Sequence, residues 1–136
     1  MAENICDDKD VVLVVDDEEM IVEMIDGMVE RGGCLHVSFN NPAAALQYYI
    51  GNSPEITLMI TDLTMPVLPG PDLIRRALRI NPKLTIILMT DYAEEHIPDD
   101  VRPLVHLVLP KPFTKEEMLD AVRTVLDKVD HQHPST

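Results

Sequence analysis

Apolar residues of this chain are concentrated in five short runs, separated by longer segments in which apolar and charged residues alternate. The runs cover residues 11–15, 35–39, 56–61, 84–89 and 105–110. Runs that are apolar on both faces are typical of parallel strands covered by helices on each side. Because the runs alternate with segments of helical periodicity, the sequence predicts a doubly wound, five-stranded parallel sheet with right-handed crossovers.

The segments between the runs carry recognisable signals for the start and the end of helices. Helices are predicted over residues 18–31, 43–50 and 72–80, with a last helix after Thr114. Gly32 and Gly33 supply a stop for the first helix, and Asn41 before Pro42 fits an N-cap for the second. Thr114 with Glu117 is a capping-box pattern.

The segment between the fourth and fifth runs departs from this regularity. Residues 93–103 include Pro98 and Pro103. Proline inside a helix removes a hydrogen bond and clashes with the preceding turn. We therefore expect an irregular or short fourth helix.

Polar residues stand where four of the apolar runs end. They are Asp16, Asp17, Asp62, Thr90 and Lys111. In open parallel sheets ligands bind outside the carboxyl ends of the strands, so these side chains are expected along one edge. Carboxylates crowded in this way repel each other unless a cation joins them, and the arrangement predicts a site.

Length and composition indicate a single soluble domain. The chain has 136 residues, of which 46% are hydrophobic and 26% charged. No apolar stretch approaches the roughly 20 residues that span a bilayer, and the acidic N-terminus does not resemble a signal peptide. The net charge of −13 disfavours nucleic acid as a partner and is compatible with Mg²⁺ or a basic partner surface. We expect no membrane contact.

The two cysteines and the chain ends complete the domain outline. Cys6 and Cys34 lack metal-ligand spacing, and one pair does not make a disulfide framework, so a reduced, cytoplasmic setting is expected. Residues 1–9 are expected to be disordered or poorly ordered, residues 10–129 to form the domain, and residues 130–136 to be a polar tail.

Four motif elements together resemble the receiver domain of two-component response regulators and hybrid histidine kinases, including the chemotaxis regulator. They are residues 13–18 (LVVDDE), residues 62–66 (DLTMP) with Gly70, Thr90, and residues 111–113 (KPF). Each element alone is weak, but all four in this order are specific, and the resemblance extends over residues 11–128. It implies a flavodoxin-like fold with strand order 2-1-3-4-5.

The resemblance also implies a role for each acidic residue of the site. Asp62 matches the residue that accepts a phosphoryl group from a kinase phosphohistidine. Asp17, Asp62 and the backbone carbonyl of Thr64 would bind Mg²⁺ directly, and Asp16 would act through water. Mg²⁺ prefers oxygen ligands and typically uses one or two carboxylates with phosphate oxygens.

Thr90 and Lys111 complete the implied phosphotransfer site. Thr90 would hydrogen-bond the phosphoryl group, and Lys111 would pair with one of its oxygens. The Lys111–Pro112 bond is a candidate cis peptide by the same resemblance. The implied protein is a phosphorylatable signalling domain and not a turnover enzyme. Its partner would be a histidine kinase or a phosphotransfer protein, and a homodimer is possible.

Several positions leave the family pattern. Val108 stands where the family usually has an aromatic residue that rotates on activation, so that switch cannot operate here. Asp91 follows Thr90 where the family prefers a small residue, and Thr64 and Tyr92 occupy positions that tune phospho-aspartate hydrolysis. These changes spare the chemistry, and we expect an output that does not use the common face of the fourth helix and fifth strand.

Three alternative functions stay open to different degrees. A phosphatase with an aspartyl nucleophile needs a second aspartate two residues after the first, and Thr64 stands there. A flavin- or nucleotide-binding domain of this fold would need a phosphate-binding loop, which the sequence lacks. A pseudo-receiver that binds a partner without phosphorylation is disfavoured by the intact acidic set and kept open by Asp91 and the prolines.

Overall fold

The structure, a computed structural model, describes residues 4–91 and 96–132, with side chains described as far as residue 127. Strands and helices alternate along this range: β1 (Val11–Val15), α1 (Glu19–Arg31), β2 (Leu35–Phe39), α2 (Pro42–Asn52), β3 (Leu58–Asp62), α3 (Gly70–Ile80), β4 (Thr85–Thr90), β5 (Leu107–Pro110) and α4 (Lys115–Gln132). The five strands are parallel in the order β2-β1-β3-β4-β5. The predicted flavodoxin-like sheet is confirmed.

Two apolar clusters cover the two faces of the sheet. On one face α1 and α4 pack against the strands, with Ile25 and Val122 fully buried. On the other face α2 and α3 do so, with Tyr49 and Ile74 fully buried. All residues of β3 and β4 are buried because these central strands are covered on both sides. None of the helices in the described part of the chain is long and apolar enough to cross a membrane.

The predicted helix-end signals are confirmed by hydrogen bonds. The Asn41 side chain accepts from the backbone N–H of Ala44 at 3.0 Å at the start of α2. Before α4, the Glu117 N–H donates to the Thr114 hydroxyl at 3.0 Å, and the Thr114 N–H donates to the Glu117 carboxylate at 2.8 Å. These bonds satisfy N–H groups that a helix leaves unpaired at its start.

Between β4 and β5 the described residues form no α-helix, which confirms the expected irregularity there. A short 3-10 helix, Arg102–Leu104, precedes β5. Ile97 and Val101 nevertheless lie in the core cluster beside α3. The Arg75 guanidinium of α3 donates two bonds to the Asp100 carboxylate, at 2.7 and 2.8 Å. The described part of this segment therefore covers the sheet without forming an α-helix.

A disulfide joins Cys6 to Cys34, with the two Cα atoms 5.1 Å apart. The expectation of two reduced cysteines is therefore wrong in this structure. The spacing of 28 residues says little about contact, because Cys6 shortly precedes β1 and Cys34 directly precedes β2, the neighbouring parallel strand. Both residues consequently lie at the amino-terminal edge of the sheet.

The segment before β1 packs against the domain. The Ile5 N–H donates to the carbonyl of Gly32 at 2.7 Å, and Ile5 contacts the core cluster below α1 and α4. Residues 1–3 and 133–136 lie outside the described residues, and the domain boundaries at residues 10 and 129 stay predictions.

Candidate functional site: an acidic pocket at the carboxyl edge of the sheet

Backbone hydrogen bonds hold the carboxyl ends of neighbouring strands together. The N–H of Leu63, just after β3, donates to the carbonyl of Met89 at 2.9 Å. The N–H of Lys111, just after β5, donates to the carbonyl of Thr90 at 2.8 Å. The sheet register therefore continues past the strand ends, and the side chains that follow the strands start from fixed positions.

Three carboxylates meet at this edge. Asp16 and Asp17 follow β1, and Asp62 ends β3, the strand paired with β1. One oxygen from each lies within 4.8 Å of the other two. Asp16 and Asp62 are buried, at 0% and 4% exposure, whereas Asp17 is exposed at the mouth. Hard carboxylate oxygens at this separation form a donor set that fits a divalent cation.

Lys111 lies against two of these acids. Its ammonium nitrogen is 2.9 Å from Oδ2 of Asp16 and 3.1 Å from Oδ1 of Asp62, and its side chain is 9% exposed. Burial alone would lower the pKa of Lys111, but the hydrogen bonds and charges of Asp16 and Asp62 raise it above its ordinary value. The lysine is therefore charged and offsets part of the negative charge of the pocket.

The carboxyl group of Asp62 is strongly perturbed. Burial raises the pKa of Asp62 from 3.8 to about 6, Lys111 opposes this rise, and Asp16 and Asp91 add to it. Asp91, the acidic residue that follows Thr90, thus adds repulsion to the pocket. A carboxylate whose charged form is disfavoured gains from any cation that joins the pocket.

The Asp16 side chain also accepts a hydrogen bond from the backbone. Its Oδ1 accepts from the N–H of Glu18 at 2.9 Å, and its Oδ2 receives Lys111. The first bond is an Asx-turn at the entry to α1. One oxygen of Asp16 therefore serves the entry to α1, and the other oxygen belongs to the pocket.

The loop after β3 returns closely over Asp62. The N–H of Gly70 donates to the carbonyl of Leu63 at 3.0 Å. A Cβ atom on Gly70 would collide with the backbone carbonyl of Asp62, so glycine is required where α3 begins. The motif residue Gly70 thus holds the loop against the end of β3.

The tip of the same loop is unusual. The N–H of Leu68 donates to the carbonyl of Pro66 at 2.7 Å, which makes Val67 the central residue of a γ-turn with φ of 71°. Val67 is also 91% exposed. A β-branched residue rarely adopts positive φ, so the turn carries backbone strain in the loop that follows Asp62.

The other predicted site residues lie at or near this edge. Thr90 ends β4 and is 1% exposed, and Thr64 is exposed in the loop two residues after Asp62. The Lys111–Pro112 peptide is cis, as the resemblance implied. Tyr92 lies outside the described residues. The direct contact of Lys111 with Asp16 joins residues 95 positions apart, and the sequence predicts only that both lie along the same edge of the sheet.

Comparisons with known proteins agree with this geometry. Residues 12–123 match the response regulator receiver domain family. The chain is 30% identical over 119 residues to the response regulator receiver protein CpdR of Brucella abortus (strain 2308). This alignment covers 87% of this chain and 97% of CpdR. It is 27% identical over 124 residues to the sensor kinase CckA of the same organism, covering 88% of this chain but 13% of CckA.

A solved structure shows the same fold. The chain superposes on a chain of the CheX–CheY–BeF3–Mg complex from Borrelia burgdorferi with a TM-score of 0.79 and 20% identity, covering 85% of this chain and 88% of that one. The family match extends over most of the chain, and both the strand order and the acidic pocket of Asp16, Asp17 and Asp62 agree with it. The chain belongs to the response regulator receiver domain family, and it is a signalling module rather than a turnover enzyme.

Proposed function

We propose that Asp62 accepts a phosphoryl group from the phosphohistidine of a histidine kinase or phosphotransfer protein, and that phosphorylation changes the interactions of the domain with its partners. The observation that carries this proposal is the meeting of three carboxylates and one buried ammonium group at the carboxyl edge of the sheet. In the transfer, the bond between phosphorus and the donor nitrogen breaks and a bond to a carboxylate oxygen of Asp62 forms. Such transfer depends mostly on positioning and charge neutralisation.

Mg²⁺ is the cofactor that this donor set favours. Asp17 and Asp62 would bind it directly with the backbone carbonyl of Thr64, and Asp16 would act through water. Mg²⁺ keeps several waters and uses few carboxylates, so an open side at the exposed Asp17 suits it. When bound, the ion neutralises charge on the transferring phosphoryl oxygens.

Lys111 and Thr90 would hold the acceptor and then the product. Lys111 already lies 3.1 Å from an oxygen of Asp62, so a phosphoryl group on Asp62 would meet its ammonium group. Thr90 would hydrogen-bond the same group from β4. Neither role needs proton transfer, which agrees with a lysine that stays charged.

The proposed partners follow from the chemistry of the pocket and from the relatives. A phosphohistidine donor with basic residues around it would complement a chain of net charge −13. Among the relatives are CpdR, named as a receiver protein, and CckA, named as a sensor kinase. Because histidine kinases use cytoplasmic ATP, we place this domain in the cytoplasm.

The output would differ from that of relatives with an aromatic residue in β5. Val108 is half-buried in β5, and the described residues before β5 form a 3-10 turn held to α3 by Arg75 and Asp100. Neither the rotating aromatic residue nor a regular helical face is offered by these residues. We therefore propose that phosphorylation is reported through other surfaces.

Incubation with acetyl phosphate and Mg²⁺, followed by intact mass, tests the proposal. We expect the natural protein to gain the mass of one phosphoryl group and Asp62→Asn to gain none. Asp62→Asn keeps the size of the side chain and removes the nucleophilic carboxylate. The variant Asp127→Asn, which loses an exposed charge on α4, serves as the matched control and should be phosphorylated like the natural protein.

The alternative function is that of a pseudo-receiver. It is favoured by the Asp62 carboxylate being already paired with Lys111 and repelled by Asp91. If neither acetyl phosphate nor a panel of phosphohistidine donors adds mass to folded protein in Mg²⁺, the phosphoacceptor function is wrong and the pseudo-receiver stands. Far-UV circular dichroism of each sample establishes that it is folded.

A further inference from the structure

The disulfide joins the segment before β1 to the turn between α1 and β2. Cys6 and Cys34 are 8% and 5% exposed, and both belong to the core cluster that includes α1 and α4. They lie at the amino-terminal edge of the sheet, whereas the acidic pocket lies at the carboxyl edge. The disulfide is therefore separate from the phosphotransfer chemistry.

The segment that carries Cys6 fits closely onto this turn. A Cβ atom on Gly32 would approach Leu119 Cδ2 of α4 to 2.9 Å and Ile5 Cγ1 to 3.0 Å. Gly33, with φ of +80°, faces the Asn4 side chain so closely that a Cβ atom would collide with it. The absence of side chains at the two glycines thus leaves room for residues 4–6 to pack there.

Apart from the disulfide, few bonds hold residues 4–9 against the domain. Among the described residues, one backbone hydrogen bond, from Ile5 to Gly32, joins residues 4–9 to the rest of the domain. The remaining backbone bond of the segment, from Asp10 to Asp7, is local. The covalent link through Cys6 is therefore the main tether of the segment.

An open concave surface borders the tether at Cys6. An open cavity of about 540 Å³ is lined by Asn4, Cys6, Asp7, Asp8 and Lys9. Cys6 thus borders a space large enough for a small thiol, although its own exposed area is small. Access on one side is what thiol–disulfide exchange needs.

The redox conditions of the cellular compartment determine whether such a disulfide is permanent or transient. A receiver phosphorylated by a histidine kinase works where glutathione keeps thiols reduced, and disulfides of cytosolic proteins are usually transient, catalytic or redox-sensing. A permanent structural disulfide would be out of place there.

We propose that Cys6 and Cys34 form a reversible redox site, oxidised by low-molecular-weight disulfides such as oxidised glutathione. One cysteine thiolate attacks a glutathione sulfur and releases one glutathione thiolate, leaving a mixed disulfide. The second cysteine attacks the protein sulfur of that mixed disulfide and releases the second glutathione. Two protein thiols are oxidised, one glutathione disulfide is reduced to two thiols, and the two protons pass to the released glutathione thiolates.

The two states differ in what covers Gly32 and the part of α4 around Leu119. In the disulfide state residues 4–6 are fixed over Gly32 and Leu119. In the dithiol state the hydrogen bond from Ile5 and its apolar contacts hold the segment alone, so it opens more often. The redox state thereby controls access to the surface between α1 and α4.

Equilibration in glutathione buffers tests the proposal. The natural protein is held in mixtures from a large excess of reduced glutathione to oxidised glutathione alone, quenched with an alkylating reagent, and analysed by intact mass. We expect doubly alkylated protein at the reducing end, unalkylated protein at the oxidising end, and a midpoint between them. Protein that stays fully oxidised or fully reduced throughout would overturn the proposal.

Hydrogen exchange tests the structural consequence. Exchange of the Ile5 amide should be about tenfold or more faster in the dithiol form than in the disulfide form. Cys6→Ser and Cys34→Ser should each exchange as the dithiol does under oxidising conditions, and Ser38→Ala, outside this region, should follow the natural protein. Equal protection in both redox forms would refute the tether. Neither readout uses phosphorylation of Asp62, so failure of the phosphoacceptor proposal leaves this test intact.

Discussion

At the level of single residues, the defining feature is Asp62, because its burial in the fold disfavours the charged form of its carboxyl group. The pKa of Asp62 is raised to about 6 mainly by burial, while Lys111 holds it from rising further. Because the pKa of Asp62 is higher in the folded protein than in the unfolded chain, its protonated form adds to the free energy of unfolding. This contribution is fully present below pH 3.8 and is lost as the pH rises through about 6. At neutral pH without a divalent cation, ionised Asp62 therefore lowers the free energy of unfolding.

Replacing this carboxylate should stabilise the protein. Asp62→Asn resembles the protonated side chain, so in EDTA at pH 7 to 8 we expect its free energy of unfolding to exceed that of the natural protein by about 1–3 kcal/mol, from roughly two pKa units. The difference should vanish near pH 4. Urea unfolding at several pH values measures it, with Asp127→Asn as the matched loss of an exposed charge. A natural protein as stable as Asp62→Asn at pH 7 would contradict the assigned burial cost.

The residues of the pocket could be predicted because strand ends are readable from the sequence. Apolar runs that stop at Asp16, Asp62 and Lys111 place those residues at one edge once the sheet is parallel. Contacts between side chains were less accessible. The bond between Cys6 and Cys34 depends on β1 and β2 being neighbours, and the pairing of Lys111 with Asp16 depends on a long side chain reaching past the two strands between β1 and β5. Nothing local in the sequence records that.

At the level of elements, helix ends were predictable and the replacement of a helix was predictable only in part. Asn41, Thr114 and Gly33 act through groups a few residues away, so local sequence suffices. Pro98 and Pro103 indicate that a regular helix is disfavoured, but not where the chain goes instead. That path depends on burial of distant apolar residues against α3.

The segment before β5 should therefore contribute to stability as a core element. Ile97 is 2% exposed and packs in the cluster beside α3, so Ile97→Ala should lower the free energy of unfolding by about 2–5 kcal/mol and Ile97→Val by about 0.5–1.5 kcal/mol. The exposed neighbour Asp99, changed to Ala, should stay within about 0.5 kcal/mol of the natural protein. Urea unfolding measures all three, and an Ile97→Ala cost no larger than that of Asp99→Ala would show that the segment lies outside the core.

At the level of the whole molecule, negative charge is in excess. The chain has 24 acidic residues against 11 lysines and arginines. Like charges on a compact domain repel, and salt screens this repulsion within a Debye length of about 10 Å at 0.1 M. Screening and specific cation binding should both stabilise the protein, and the two effects can be separated.

Mg²⁺ should stabilise the natural protein more than KCl of the same ionic strength. The excess reflects binding to the folded state and grows as RT ln(1 + [Mg²⁺]/Kd), or about 2.7 kcal/mol at a hundredfold excess over Kd. Asp17→Asn should lose the excess and keep the KCl effect, because Asp17 is exposed and its removal leaves packing intact. Thermal unfolding in the two salts measures this. An equal response of the natural protein to both salts would argue against a magnesium site.

The first strand connects the two ends of the molecule. β1 has Asp16 and Asp17 directly after it and the cysteine-bearing segment directly before it, and its five residues span about 17 Å at roughly 3.3 Å per residue. A phosphoryl group on Asp62, which ends the strand paired with β1, and the bond between Cys6 and Cys34 would thus lie at opposite edges of one sheet. Phosphorylation adds the mass of one phosphoryl group, and disulfide formation removes two hydrogens. A single mass spectrum of the unfractionated protein would therefore count all four combinations of the two modifications. It would show whether each modification forms independently of the other.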